Sequence, residues 1–172
     1  MSRKPARMYR FVRQQSNTRR EFTGGIPNSR ISQFVMGNRK VFFPLKINLI
    51  VVESCQIRDV ALEAARITAN RTLTKKAGAL DYKLTMRIHP HQILRENKQA
   101  TGAGADRVSQ GMRKSFGKNV GLAARIKSNQ IIITVDTFEK NIIYAKEALK
   151  KASSKIPTPC KIDIASWYNG KY

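Results

Sequence analysis

Residues 82–89, YKLTMRIH, alternate without a break: Tyr82, Leu84, Met86 and Ile88 fall on one side, Lys83, Thr85, Arg87 and His89 on the other. The pattern is that of a half-buried strand with a basic outer face. It sets the fold class as α+β, because the stretches around it read alternately as strand and helix. Upstream, residues 41–52, VFFPLKINLIVV, are rich in β-branched and aromatic side chains and read as strand, with Pro44 marking an edge, a bend or a break into two short strands. Between these two lies a helix. Ile57, Val60, Ala61, Ala64, Ala65 and Thr68 recur at three- and four-residue spacing, Asp59 sits near the start, Arg71, Lys75 and Lys76 near the end, and Gly78 is a C-terminal stop. Arg58, Arg66 and Arg71 lie off that stripe, so the face turned from the core is expected to be cationic.

Downstream, Leu122, Ala124 and Ile126 alternate with Ala123, Arg125 and Lys127, and Ser128-Asn129 turns into the apolar run 131–135, a hairpin signal. Asp136 with Glu139 three residues on resembles a capping box for a second helix, whose buried stripe is Phe138, Ile142, Ala145, Leu149 and Ala152. Lys140, Lys146, Lys150 and Lys151 coat its other side. Pro157 and Pro159 stop that helix, and residues 161–167 alternate as a last short strand. The expectation is a single domain, mostly antiparallel sheet with two helices. It divides into an arm at 1–40, strand-helix-strand at 41–94, an internal loop at 95–121, and hairpin, helix and C-terminal strand at 122–172.

The charge says what this domain is for. Lys and Arg number 33 against 11 Asp and Glu in 172 residues, a formal net charge of +22, so the free chain repels itself and calls for a polyanionic partner. The charge is spread along the whole chain rather than gathered on one amphipathic helix, which favours nucleic acid over a membrane surface. No apolar run approaches the roughly 20 residues that span a bilayer, and the basic N-terminus lacks the apolar stretch of a secretory signal, so a cytoplasmic location is expected. Cys55 and Cys160 lie far apart without a CxxC pattern and read as reduced thiols in or near the core.

Two segments are built for contact rather than for a core. In the arm, Arg3, Lys4, Arg7, Arg10, Arg13, Arg19, Arg20, Arg30, Arg39 and Lys40 are opposed by Glu21 alone, with Tyr9, Phe11, Phe22 and Phe34 interleaved. Such rings can stack on RNA bases or anchor the arm to the domain. In residues 95–121, RENKQATGAGADRVSQGMRKSFGKNVG, Gly102, Gly104, Gly111, Gly117 and Gly121 allow close backbone approach while Arg95, Lys98, Arg107, Arg113, Lys114 and Lys118 supply charge.

Catalytic patterns are absent from these residues. Gly102-Ala103-Gly104 has Arg107 where a dinucleotide fingerprint needs its third glycine, and Gly117-Lys118 is followed by Asn119 where a phosphate loop needs Ser or Thr. His89 and His91 have no third metal ligand at usable spacing. What is left is phosphate neutralisation with counterion release and recognition of folded RNA. Two competing classes are an RNA-processing or modifying enzyme, with Asp106 beside Arg107 as its best catalytic group, and a general nucleic-acid packaging protein.

Arg87-Ile88-His89-Pro90, Arg95, Gly104-Ala105-Asp106-Arg107, Gly111-Met112-Arg113, Phe116-Gly117-Lys118, Gly121 and Ala124-Arg125 together resemble the signature of the archaeal and eukaryotic large-subunit ribosomal protein family L-ten-e, equivalent to bacterial L-sixteen. The likeness extends to residues 61–67, to the opening 3–7, and to Lys161-Ile162 and Trp167. The resemblance implies a hammerhead-like domain on 23S-type rRNA near the base of the central protuberance, close to 5S rRNA and the A-site tRNA. It implies a loop, matching 102–118 here, that projects toward the peptidyl-transferase centre and the P-site tRNA, and a late role in subunit maturation. Its partners would be these RNAs and neighbouring large-subunit proteins, with no cofactor, metal, membrane or small-molecule substrate. Arg3, Lys4, Arg7, Arg10, Arg13, Arg19, Arg20, Arg30, Arg39, Lys40, Lys83, Arg87, His89, Arg125 and Lys127 are the expected rRNA contacts. Gly102, Gly104, Asp106, Arg107, Gly111, Arg113, Lys114 and Lys118 form the expected tRNA-proximal set. His91, where many members carry an aromatic, and Ala100-Thr101-Gly102, where eukaryotic members have a cysteine-containing run, depart from the pattern. The end at Tyr172, without the eukaryotic extension, and the high charge make an archaeal source the expectation.

Overall fold

The computed structural model describes residues 5–12, 23–96 and 117–166. Among these residues eight strands form two antiparallel sheets. The strands β1 (Val35–Gly37), β4 (Tyr82–Met86), β7 (Ile131–Thr137), β2 (Leu45–Val51) and β8 (Cys160–Ser166) pair in that order in a five-stranded sheet. A three-stranded sheet has the order β3 (Cys55–Arg58), β6 (Lys118–Ile126), β5 (Gln92–Glu96). Helices α1 (Asp59–Lys76) and α2 (Ile142–Ser153) pack on each other, α2 also against β2, β7 and β8, and α1 against β3, β4 and β6. One apolar core joins all these layers, with Ile47, Leu49, Ile57, Leu62, Leu84, Ile133 and Leu149 at its centre. The α+β, mostly antiparallel, two-helix architecture is as the sequence implied.

The deciding strand behaves as its alternation requires: Tyr82, Leu84, Met86 and Ile88 are buried, whereas Arg87 and His89 are exposed. Pro44 acts as the boundary before β2, which starts at Leu45. Gly78, at φ +90°, ends α1 as expected. Both cysteines are free thiols, Cys55 buried and Cys160 half-buried. Burial raises both, Cys160 to about 11, so neither is a reactive thiolate at neutral pH.

Four local expectations are overturned. The 122–135 hairpin does not form: β6 pairs with β3 and β5, and β7 with β2 and β4. Asn129, at φ 59°, turns the chain, but its N–H donates to the Val51 carbonyl and the Gln130 carbonyl accepts from Val51, so the turn is docked on the end of β2 and hands the chain from one sheet to the other. A turn signal reports a reversal, not which strand will be the partner.

The buried face of α1 is Leu62, Ala65, Arg66, Ala69, Thr72 and Leu73, not the stripe through Val60, Ala61, Ala64 and Thr68. Alanines give weak contrast around the helix, and the two leucines, with much more apolar area, decide which side goes in. Arg66 consequently lies inside rather than on a cationic outer face. Its guanidinium grips Glu63 with two bonds, 2.8 Å and 2.6 Å, and this holds the Glu63 carboxyl below the ordinary carboxylate range.

Asp136 is no helix cap. It belongs to β7, while a 3-10 turn at Glu139–Asn141 follows Phe138 and leads into α2, neither start having a side-chain cap. The stretch between Phe138 and Ile142 is too short and too tightly wound to use a carboxylate three residues back in an extended strand. Asp59, at the start of α1, is buried and accepts the N–H groups of Arg30 and Val60.

Strand structure also reaches into both flanking segments. The arm contributes β1 and the buried Ile31, and β5 and β6 extend as a two-stranded stem through Arg95, Glu96 and 118–121.

Candidate nucleic-acid interface

The five-stranded sheet buries one face under the helices and turns Lys46, Lys83, Thr85, Arg87 and Asp136 outward. Register places Lys83 beside Asp136 and Asp136 beside Lys46 on three neighbouring strands. The next rung is polar: the Thr134 hydroxyl donates to Asn48 Oδ1 at 3.0 Å and accepts from Arg87 Nε at 3.2 Å, which pins the guanidinium across the sheet.

A wall rises on one side of these groups. Val41, Phe42 and Phe43 follow the exposed Arg39 and Lys40, and Phe43 is buried edge-on against Phe138, ring centroids 5.0 Å apart, at the end of the strand that carries Asp136. Phe43 thereby anchors the segment and leaves the next ring, Phe42, 71% exposed. The result is a groove of about 270 Å³ bounded by Val35, Phe42, Lys46, Lys83, Arg87 and Asp136. Cations and an exposed aromatic ring are what phosphates and unstacked bases require.

Asp136 is the one acid among the described residues that line this groove. Burial pushes its carboxyl above the ordinary aspartate range, against the lowering effect of Lys46, Lys83 and Arg87. Its Oδ1 is buried with no hydrogen-bond partner among the described residues. Folding therefore disfavours the ionised form, and the penalty that this one group imposes is relieved as pH falls through the raised pKa toward the unfolded value. Asp136→Asn is expected to raise the melting temperature at neutral pH by a few degrees, with the gap to the parent narrowing in acid. A lower melting temperature for the variant at pH 7 would show that the carboxylate stabilises the fold.

The other described candidates occupy separate places. Arg7 is exposed, and Arg10 runs beside β3, its carbonyl accepting Gln56 N–H at 2.9 Å and its guanidinium pairing with Glu53. Tyr9 lies under Arg58, 5.0 Å from its ring centre, and its hydroxyl bonds Glu96, so this ring anchors the arm to the domain. Phe34 does the same by packing on the core and on His89. The Arg30 and Lys127 side chains are exposed, and Arg125 is half-buried with Nε lacking a partner among the described residues. Lys118 is exposed on the β5–β6 stem, whose Asn119 amide bonds the carbonyls of Thr23 and Gly25. A second concavity, about 590 Å³, lies between residues 26–29 and 89–93 and includes His89 and His91.

Arg3, Lys4, Arg13, Arg19, Arg20, Gly102, Gly104, Asp106, Arg107, Gly111, Arg113 and Lys114 lie outside the described residues. Of the expected contacts, the fold brings Lys83 and Arg87 together and sets Arg39 and Lys40 just before the groove wall. Sequence reading missed Lys46, Phe42 and Asp136 as members of this site. The alternation of Lys46 with Leu45 and Ile47 was the available signal for the first; nothing local joins the other two. Among the described residues no group of three or more His, Cys, Asp or Glu is placed to hold a metal, and no described helix is long and apolar enough to cross a membrane.

A family model described as ribosomal protein L16p/L10e matches residues 11–163. The chain is 51% identical over 164 residues to the large ribosomal subunit protein uL16 of Methanocella arvoryzae, covering 95% of each chain. It is 52% identical over 162 residues to that of Methanoculleus marisnigri, covering 94% of this chain and 95% of the relative. It is 51% identical over 164 residues to that of Thermoplasma volcanium, covering 95% and 93%.

Proposed function

The chain belongs to the ribosomal protein L16p/L10e family, and from that premise we propose how its surfaces divide the work of a large-subunit protein. It is a structural constituent of the large subunit, not an enzyme, and works in the cytoplasmic ribosome with rRNA and neighbouring ribosomal proteins as partners. The competing readings as an RNA-modifying enzyme or a general packaging protein have no support in these relatives.

The described basic faces, the groove around Lys46, Lys83 and Arg87 above all, seat the domain on 23S-type rRNA beside the 5S rRNA region. The expected rRNA contacts of the arm join them. The loop at 102–118, with Lys118 on the β5–β6 stem, meets the A-site and P-site tRNA. The observation that carries this reading is the outer face of the five-stranded sheet, where Lys46 of β2 and Lys83 and Arg87 of β4 and its end flank β7: among the described residues a cationic sheet face of this kind is suited to a polyanion and costly to leave without one.

The test is sucrose-gradient fractionation of a lysate from the source cell, comparing the full chain with a form lacking residues 100–114. Both forms are expected to sediment with large subunits through a moderate salt wash, and subunits holding the shortened form are expected to bind tRNA poorly. Recovery of the full chain in the top fractions would overturn the ribosomal assignment of the surface, and normal tRNA binding and peptide synthesis with the deletion would overturn the role of the loop.

A further inference from the structure

A groove made to bind phosphate alone has no use for a carboxylate. Asp136 repels phosphate, and its ionised form is disfavoured by folding. A carboxylate accepts hydrogen bonds and donates none, so its complement is a group rich in N–H donors. We infer that the groove receives one unpaired guanine of the RNA, its N1–H and N2–H donated to the Asp136 carboxylate, its face against Phe42, and its flanking phosphates on Lys46, Lys83 and Arg87. This rests on the RNA-binding reading and adds to it the base that is read.

Guanine is singled out by its edge. Its N1–H and N2–H lie side by side and match the two oxygens of a carboxylate, as a guanidinium does. Adenine and cytosine each set one amino donor next to a ring-nitrogen acceptor, which would oppose the second oxygen. Uracil has a single N–H between two carbonyls. The buried Oδ1 has no hydrogen-bond partner among the described residues, so turning the carboxylate about its last torsion to offer both oxygens breaks no bond recorded there.

The shape agrees. About 270 Å³ accommodates a single base but not a helix, and the ring of Phe42 is exposed at the rim while its neighbour Phe43 is locked against Phe138. A stacking ring is sequence-tolerant, because every base has a π-face; the carboxylate supplies the selection.

The test is fluorescence anisotropy of the full chain with short uridine RNAs carrying one central guanosine, inosine or adenosine, at about 0.2 M salt, where binding by phosphate contacts is weakened. The parent protein is expected to favour guanosine over adenosine on the order of ten-fold, with inosine, which lacks the N2 amino group, in between. Asp136→Asn should bind all three alike and the all-uridine RNA at least as tightly as the parent does. Equal affinities in the parent, with binding still falling as salt rises, would overturn the guanine assignment and leave RNA binding intact. Guanosine preference surviving in Asp136→Asn would also overturn it. Absence of binding to any of these RNAs and to large-subunit rRNA would remove the RNA-binding reading itself.

Discussion

Alanine at position 37 is expected to destabilise the fold by on the order of 3 kcal/mol, lowering the melting temperature by roughly 6–12 °C. Gly37 ends β1 at φ +85°, and a Cβ built there overlaps the Tyr82 carbonyl oxygen. That oxygen accepts the Asn38 N–H at 2.9 Å, so it cannot move aside without loosening the turn out of β1. Left-handed backbone costs a non-glycine residue about 1–2 kcal/mol, and the displaced hydrogen bond about 1 more. Gly78→Ala is the control. It has φ +90° but open space around the added Cβ, so it should lose only the backbone contribution, about 1–2 kcal/mol. Thermal unfolding followed by circular dichroism decides the matter, and equal losses at the two positions would mean that the contact with Tyr82 is not what requires glycine at 37. Because β1 leads directly into the wall of the basic groove, Gly37→Ala should also weaken RNA binding.

The second large effect is electrostatic. Replacing Lys46, Lys83 and Arg87 together by glutamine should lower the salt slope of rRNA binding by about 2 to 3, from roughly 0.7 to 0.9 for each lost phosphate contact, and cut affinity at least about ten-fold near physiological salt. The substitutions belong in an Asp136→Asn background, since removing three cations around a half-buried carboxylate would leave a charge that destabilises the fold for reasons unrelated to RNA. Filter binding to a large-subunit rRNA fragment across a salt series gives the slope. An unchanged slope would exclude these three side chains as phosphate contacts. Lys140, Lys146 and Lys150, exposed on or just before α2, provide the comparison for charge lost elsewhere.

How much of this was legible depends on distance along the chain. The stretch at 82–89, whose first five residues form β4, could be read because alternation is local and the buried and exposed side chains differ sharply. The second helix was legible for the same reason, with Ala145, Leu149 and Ala152 buried as its spacing implies. The first helix was not, since seven alanines and threonines spread around it carry little preference, and its orientation was settled by what Leu62 and Leu73 could reach. Arg66 shows the consequence: charge alone argues for solvent, but a carboxylate one turn earlier made burial possible.

The candidate groove illustrates the same division. Lys83 lies in β4 and Arg87 just past its end, in one alternating stretch, so their shared outer face was evident. Phe42, Lys46 and Asp136 come from three separated segments, and only strand pairing brings them to the same place. Asp136 followed by Glu139 imitates a helix cap so well that its true neighbours could not have been guessed.

By itself, then, the sequence determined the polyanionic partner, the family and the alternation that makes a half-buried sheet, because net charge, motif residues and period-two spacing are properties of the chain whatever its path. Tertiary structure alone decided that β6 and β7 part into different sheets, which face of α1 is buried, and that three lysine and arginine side chains surround one carboxylate beside an exposed phenylalanine. Those outcomes depend on competition between distant strands for hydrogen-bond partners and between helix faces for apolar area. Neither competition is recorded in any short stretch of residues.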